Sequence, residues 1–233
     1  MSGREIAVAG HPVRALRVSY VGELGWELHA PMASMAPLYE ALWSAGQPFG
    51  IANYGLYAVN SMRIEKGYKA WSTELTNELN MLEADMSRFI DFDKGEFTGR
   101  SATLAHCASR DAPLAFTATA PLVHPGPRQA EPQQAGPREA QAPRPLKIVY
   151  LEIGATDTDA RGGEPLLRED HCIGVVTSGA YGHRVGKSLA FACVAPQFAA
   201  PGSTFEILIQ GERRPATVRS TAAFDPDNHR MRA

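Results

Sequence analysis

Two glutamates four residues apart, Glu23 and Glu27, stand in the run Arg17-Val-Ser-Tyr-Val-Gly-Glu-Leu-Gly-Trp-Glu-Leu-His29. A carboxylate fixed on a rigid element can accept two hydrogen bonds at once, which suits a flat heterocycle presenting paired N–H donors. The plainer reading makes Glu23 a turn residue and Glu27 a solvent-facing strand position, and spacing alone favours it. Farther along, Arg63 and Glu65 precede Lys66-Gly-Tyr-Lys-Ala-Trp71. A guanidinium fork there could pair with a carboxylate, while cations near a helix C-terminus are also favourable in themselves. His183 could carry a proton near neutral pH; a hydrogen-bonded turn histidine is the plainer assignment. The seven histidines are scattered without metal-ligand spacing.

The elements that must position these residues follow from periodicity. Leu16, Val18 and Tyr20 alternate as in a half-buried strand, Gly22 and Gly25 permit a tight reversal, and Trp26-Glu27-Leu28 begins a second extended run. Glu27 is thereby expected on a hairpin. Met35, Leu38 and Leu42 recur at helical spacing between Ser34, a candidate N-cap, and Gly46 with Pro48. A second helix is expected from Tyr54 to Glu65, capped by Asn53 and stopped by Gly67.

Composition narrows the class. The 233 residues are 44% apolar with a net charge of −2, enough for one good core or two small ones and without the basic footprint of a general nucleic-acid binder. No run of about 18 apolar residues suggests a spanning helix. The start, MSGREIAVAGHPVRA, lacks the apolar stretch of a secretory signal. Cys107, Cys172 and Cys193 form no C-x-x-C pair and read as buried or incidental thiols of a cytoplasmic protein.

Eight of the 17 prolines fall between Pro113 and Pro145, so residues 108–145 are expected to be a disordered linker or insertion. Extended runs resume at Leu146–Ile153, Cys172–Thr177, Ser188–Val194, Thr204–Ile209 and Arg214–Val218. Their spacing predicts a small antiparallel barrel or sandwich. Glycines 174, 179, 182 and 186 read as sharp reversals. Gly186-Lys187-Ser188 imitates the tail of a phosphate loop, but Tyr181 stands where its first glycine is needed, and no helix follows.

Four blocks, in order, resemble one family. Tyr20 to Glu27 is similar to the Y-x-G-E-x-G-x-E motif of the aminomethyltransferases, which include the glycine-cleavage T-protein. Arg63 to Trp71 resembles R-x-E-K-G-Y-x-x-W of the folate-binding C-terminal region of dimethylglycine and sarcosine dehydrogenases, the branch where the resemblance is strongest. Leu82-Glu-Ala84 with Phe89 and Asp93 to Arg100 resembles a third block, and Gly174 to Ala190 a fourth. The closing Phe224 to Arg232 is similar to the family's last motif and is expected to dock.

The resemblance implies an α+β chain with three regions. Residues 1–107 would be the C-terminal half of a folate-binding α/β domain, 108–145 the linker, and 146–233 a small antiparallel β-barrel. It implies tetrahydrofolate as ligand, with Tyr20, Glu27, Leu28, His29, Trp71 and Arg88 as binding residues, Glu27 accepting from the pterin. Arg88 departs from the aromatic that some relatives carry. Arg63, Glu65, Tyr181 and His183 would support the site, and Glu23 its turn. The alternative for Arg63 is partner of folate's glutamate tail, and for Trp71 a core residue. The family's catalytic aspartate corresponds to no residue here, and FAD would belong to another domain or partner. The implied activity is capture of a methylene group as 5,10-methylenetetrahydrofolate, together with a chain supplying the rest of the domain. A non-catalytic folate-binding scaffold and a truncated fragment without function are the alternatives. The one-carbon donor is not encoded in these residues.

Overall fold

Apolar residues at every second position turn one side of a strand inward, and the first strands follow that rule. In the computed structural model, which describes residues 2–109 and 146–232, the chain opens with a three-stranded antiparallel sheet, β1 (Gly3–Val8), β2 (His11–Leu16) and β3 (Glu27–His29). Val13 and Ala15 are buried while Pro12 and Arg14 are exposed. Ala15 pairs with Leu28 and Leu16 with Glu27. Leu28 therefore shares the face of Val13 and Ala15, and Glu27 and His29 share the opposite one.

The expected strand through Tyr20 and the tight reversal at Gly22 and Gly25 need correction. β2 ends at Leu16, and residues 17–26 form an open loop. The Val18 amide turns back to the Leu16 carbonyl at 3.0 Å, and the Tyr20 hydroxyl donates to the Lys69 carbonyl at 2.9 Å. Tertiary contacts thus draw the loop off the sheet.

Three helices follow: α1 (Met32–Gly46), α2 (Leu56–Glu65) and α3 (Arg100–Ser109). α1 is capped by Pro31 rather than Ser34, and α2 by Gly55 rather than Asn53. Asn53 instead donates to the Tyr39 hydroxyl at 2.7 Å. Gly67 does stop α2. Its φ of +68° lets the Tyr68 amide reach the Arg63 carbonyl and its own amide reach Ile64, both at 2.9 Å. Ala108 and Ser109, expected at the head of the linker, end α3, and residues 110–145 of that segment lie outside the described residues.

The C-terminal part is a closed antiparallel barrel of β4 (Lys147–Ile153), β5 (Pro165–Arg168), β6 (His171–Gly182), β7 (Lys187–Val194), β8 (Thr204–Ile209) and β9 (Glu212–Arg219), ordered β4-β7-β6-β5-β8-β9. One helical turn, α4 (His229–Arg232), follows. β7 is buried on both sides. Ala190, Ala192 and Val194 face the barrel core with Val149, Leu151 and Ile207, while Leu189 and Phe191 face a second cluster with Ile148 and Ile64 of α2. On β7 the smaller residues turn into the barrel, where Leu151 and Ile207 already fill the interior, and the larger ones face the helix.

Three of the four glycines expected at reversals lie inside β6, and only Gly186 occupies a turn. They are there for close approach. A Cβ on Gly174 would stand 2.3 Å from the Cys193 carbonyl oxygen, and one on Gly179 2.2 Å from that of Ala160. Gly179→Ala is accordingly expected to cost about 1–3 kcal/mol or more, read as a lowered thermal midpoint with the barrel's β-signal retained below it.

Candidate functional site

α2 carries polar residues on the side that meets the barrel, and β6 supplies their partners. Asn60 Nδ2 donates to the Gly179 carbonyl at 3.2 Å, and Ser61 Oγ to that of Tyr181 at 2.6 Å. One turn on, Glu65 Oε1 accepts the Arg184 amide at 2.6 Å and the Val185 amide at 3.3 Å, capping the β6–β7 turn. Glu65 is buried, as is Arg63.

Arg63 spends all five of its N–H groups inside the protein. Nε and Nη2 reach Asn60 Oδ1 at 2.9 and 2.7 Å, Nη1 reaches the Tyr68 carbonyl at 3.0 Å and Glu74 at 3.2 Å, and Nη2 also reaches Ser178 Oγ at 2.8 Å. The alternative that assigned it to a ligand's carboxylate tail is therefore set aside, because no donor is left over. Glu74 completes the cluster. It is fully buried and accepts Ser178 Oγ at 2.6 Å and Thr177 Oγ1 at 2.7 Å on one oxygen, with Arg63, the Ala70 amide and Thr73 on the other. Adjacent strand residues normally point to opposite faces. A bulge between Val176 and Ser178 lets both hydroxyls reach one carboxylate.

Above this base lies the loop 17–26. The Tyr20 ring stacks on Tyr68 at 6.0 Å, and its hydroxyl holds the Lys69 carbonyl. Burial pushes the Tyr20 phenol up from its ordinary value, partly opposed by the Arg63 charge. Burial likewise lowers the Lys69 ammonium, opposed by Asp85 at 3.8 Å.

The six expected binding residues form two groups. Tyr20 and Arg88 act on Tyr68 and Lys69, and Trp71 follows two residues after Lys69. Trp71 is 78% exposed and opens a mainly apolar cleft of about 540 Å³ that Met86 and Ile90, on either side of Arg88 in sequence, also line. Arg88 lies over the Phe89 ring at 4.9 Å, and its charge is felt by both Tyr68 and Lys69. Glu27 and His29 sit 3.5 Å apart and exposed on β3. Leu28 lines a groove on the sheet's other face with Trp26 and Arg17. Of the supporting residues, Tyr181 and His183 meet edge to face at 5.0 Å beside the turn that Glu65 caps.

Glu74 and Lys69 carry no signal in the sequence, and Tyr68 stands in it only as the tyrosine of the R-x-E-K-G-Y-x-x-W motif. Nothing local marks Glu74, whose hydroxyl partners lie about a hundred residues away. Lys69 is an ordinary exposed type that happens to be covered. Among the described residues, no group of three or more His, Cys, Asp or Glu could hold a metal ion, and no helix is long and apolar enough to cross a membrane.

This two-part arrangement, a sheet and polar-faced helix seated on a closed barrel, agrees with what known proteins show. The chain matches the family described as the GCVT N-terminal domain over residues 1–94, and that of the Glycine cleavage T-protein C-terminal barrel domain over residues 147–225. It belongs to the aminomethyltransferase (glycine-cleavage T-protein) family, in the group that also holds the dimethylglycine and sarcosine dehydrogenases. Mitochondrial dimethylglycine dehydrogenase of Rattus norvegicus is 33% identical over 216 residues, 92% of this chain and 21% of that protein. An aminomethyltransferase of Streptomyces avermitilis is 31% identical over 213 residues, 91% of this chain and 49% of that one. The crystal structure of glycine cleavage system aminomethyltransferase T from Bartonella henselae superposes with a TM-score of 0.70 at 20% identity, covering 92% of this chain and 50% of that one. The chain thus spans about half the length of the aminomethyltransferases it matches and about a fifth of the dehydrogenase.

Proposed function

We propose that this chain is the pterin-holding part of a one-carbon-transfer enzyme and binds tetrahydrofolate. In that reading an iminium or formaldehyde equivalent condenses with tetrahydrofolate to give 5,10-methylenetetrahydrofolate. The observation that carries the reading is Glu27. It is an exposed carboxylate fixed on a strand, and among the described residues its partner is His29, 3.5 Å away, so its outer face is open to paired N–H donors. Tyr20 and the exposed Trp71 offer flat faces to an aromatic ligand. What these residues supply is position and orientation rather than a strong nucleophile.

The surface also supports a partner region. Met32, Phe49, Leu56 and Tyr57 are 91%, 89%, 84% and 96% exposed, a large apolar display on and between α1 and α2. The remaining half of the aminomethyltransferase fold, on the same polypeptide or another, would cover it. Residues 1–107 and 146–233 would then be the C-terminal half of the folate domain and its barrel, and the chain by itself would bind folate weakly and transfer nothing.

The test is titration with tetrahydrofolate followed by calorimetry, on the chain alone and mixed with the N-terminal half of an aminomethyltransferase. Glu27→Gln is expected to weaken binding by roughly 10- to 100-fold, since a hydrogen bond to a charged group contributes about 1.5–3 kcal/mol. Equal affinity of the variant removes Glu27 from the site. Transfer activity by the chain with nothing added would overturn the requirement for a complement.

A further inference from the structure

The loop 17–26 is held by a second set of contacts, which the site described above does not use. Glu23, near its middle, receives two guanidinium groups from distant parts of the chain. Arg184 Nη1 reaches Oε1 at 2.6 Å, while Arg230 reaches Oε2 through Nε at 3.0 Å and Oε1 through Nη2 at 3.4 Å. Each arginine is itself anchored. The Arg184 amide is bound by Glu65, and its guanidinium lies 4.7 Å over the Phe224 ring. The Arg230 amide donates to Asp225 at 3.1 Å, and Asp225 pairs at 3.2 Å with Lys66, whose side chain is 2% exposed.

The loop is shaped to reach them. Gly22, next to Glu23, has a φ of +74° and lies against Lys66, where a Cβ would stand 3.0 Å from the lysine Cδ. The last segment touches the loop's neighbours as well. Arg17 donates to the Met231 carbonyl at 3.4 Å, and the Tyr68 hydroxyl, beneath Tyr20, contacts Met231 Sδ at 3.0 Å. The same loop carries Tyr20 and runs directly into Glu27.

We infer that Arg184 and Arg230 are positioning residues that act through Glu23, latching the loop that presents Tyr20 and leads into Glu27. The inference rests on the folate reading above. The latch is ionic and partly exposed, with Glu23, Arg184 and Arg230 side chains at 28%, 32% and 63% exposure, so dissolved salt competes with it. Closing the latch and binding at Glu27 are then coupled, and added salt weakens both.

The experiment measures amide exchange in residues 17–26 and tetrahydrofolate affinity, at low and high salt, on the full chain with its complementary half. The proteins are wild type, Glu23→Gln and Arg184→Gln/Arg230→Gln, with amides of β4 as the control for folding. In wild type, salt is expected to speed exchange in the loop and to weaken affinity roughly three- to ten-fold, the range of one or two exposed ion pairs. Both variants are expected to show the faster exchange already at low salt, with no further response in the loop. Faster exchange with unchanged affinity would overturn the positioning role, and unchanged exchange would overturn the latch. A wild-type chain that binds no folate in any combination would remove the ligand reading and the positioning role with it. That case is recognised by a flat wild-type titration, while the exchange data still report on the latch.

Discussion

Glu74→Gln is expected to lower the free energy of unfolding by about 3–5 kcal/mol, the usual result of leaving one member of a buried ion pair without its partner. Glu74 and the Arg63 side chain are 0% and 3% exposed, so water cannot take over for the lost charge. The glutamine also offers an amide where Thr177, Ser178 or Arg63 brings a donor, and two donors then face each other in a closed site. Urea unfolding followed by circular dichroism measures the loss. A double variant, Glu74→Gln with Arg63→Met, is expected to lose less than the two single losses added, because the second change removes the stranded charge. Full additivity would mean that the two side chains do not act as a pair.

Phe191→Ala is expected to cost about 3–5 kcal/mol, combining lost burial with the cavity left behind. Phe191 is 1% exposed and packs outward from β7 with Ile64, Ile148 and Leu189. Its ring lies 5.2 Å from that of Tyr150, and it also carries Arg63 and Lys69, each 5.7 Å from its centroid. The loss should be uneven. Amides of α2 are expected to exchange faster while those of the barrel interior keep their protection. Leu151→Ala, inside the barrel core, should give the reverse pattern. Equal exchange at α2 in both variants would show that the helix is held by its polar contacts alone.

Strands were legible where both their residue types and their ends were ordinary. β4, β7 and β8 are runs of Val, Ile, Leu, Phe and Ala between turn residues, and the expected and observed ends agree within a residue. The extended signal of β6 ends at Thr177 although the strand runs to Gly182, because Ser178-Gly179-Ala180-Tyr181-Gly182 has the composition of a turn. Its glycines answer to the backbone of Cys193 and Ala160 and to the Glu65 side chain, which no local pattern records. β1 carries no alternating signal because its side chains are nearly all exposed, β5 little because it is four residues beginning with proline, and α3 little because it adjoins the proline-rich stretch. The same division holds at the site. Tyr20, Glu27 and Trp71 lie in contiguous motifs and could be picked out. The remote partners of Glu23 and Glu74 could not, because Arg184, Arg230, Thr177 and Ser178 come from segments 103 to 207 residues away.

The seating of α2 on β6 has a consequence for biosynthesis. Arg63 waits for Ser178, Ser61 for Tyr181 and Glu65 for Arg184, at separations of 115, 120 and 119 residues. The barrel itself closes only when β9 pairs with β4, after Arg219 has been made. A nascent chain therefore carries its first sheet and α2 with their polar residues still hydrated until the last third of the sequence has left the ribosome. A stall or truncation before β7 leaves the early part without its seat, with apolar side chains such as Ile64 open to chaperones and to aggregation.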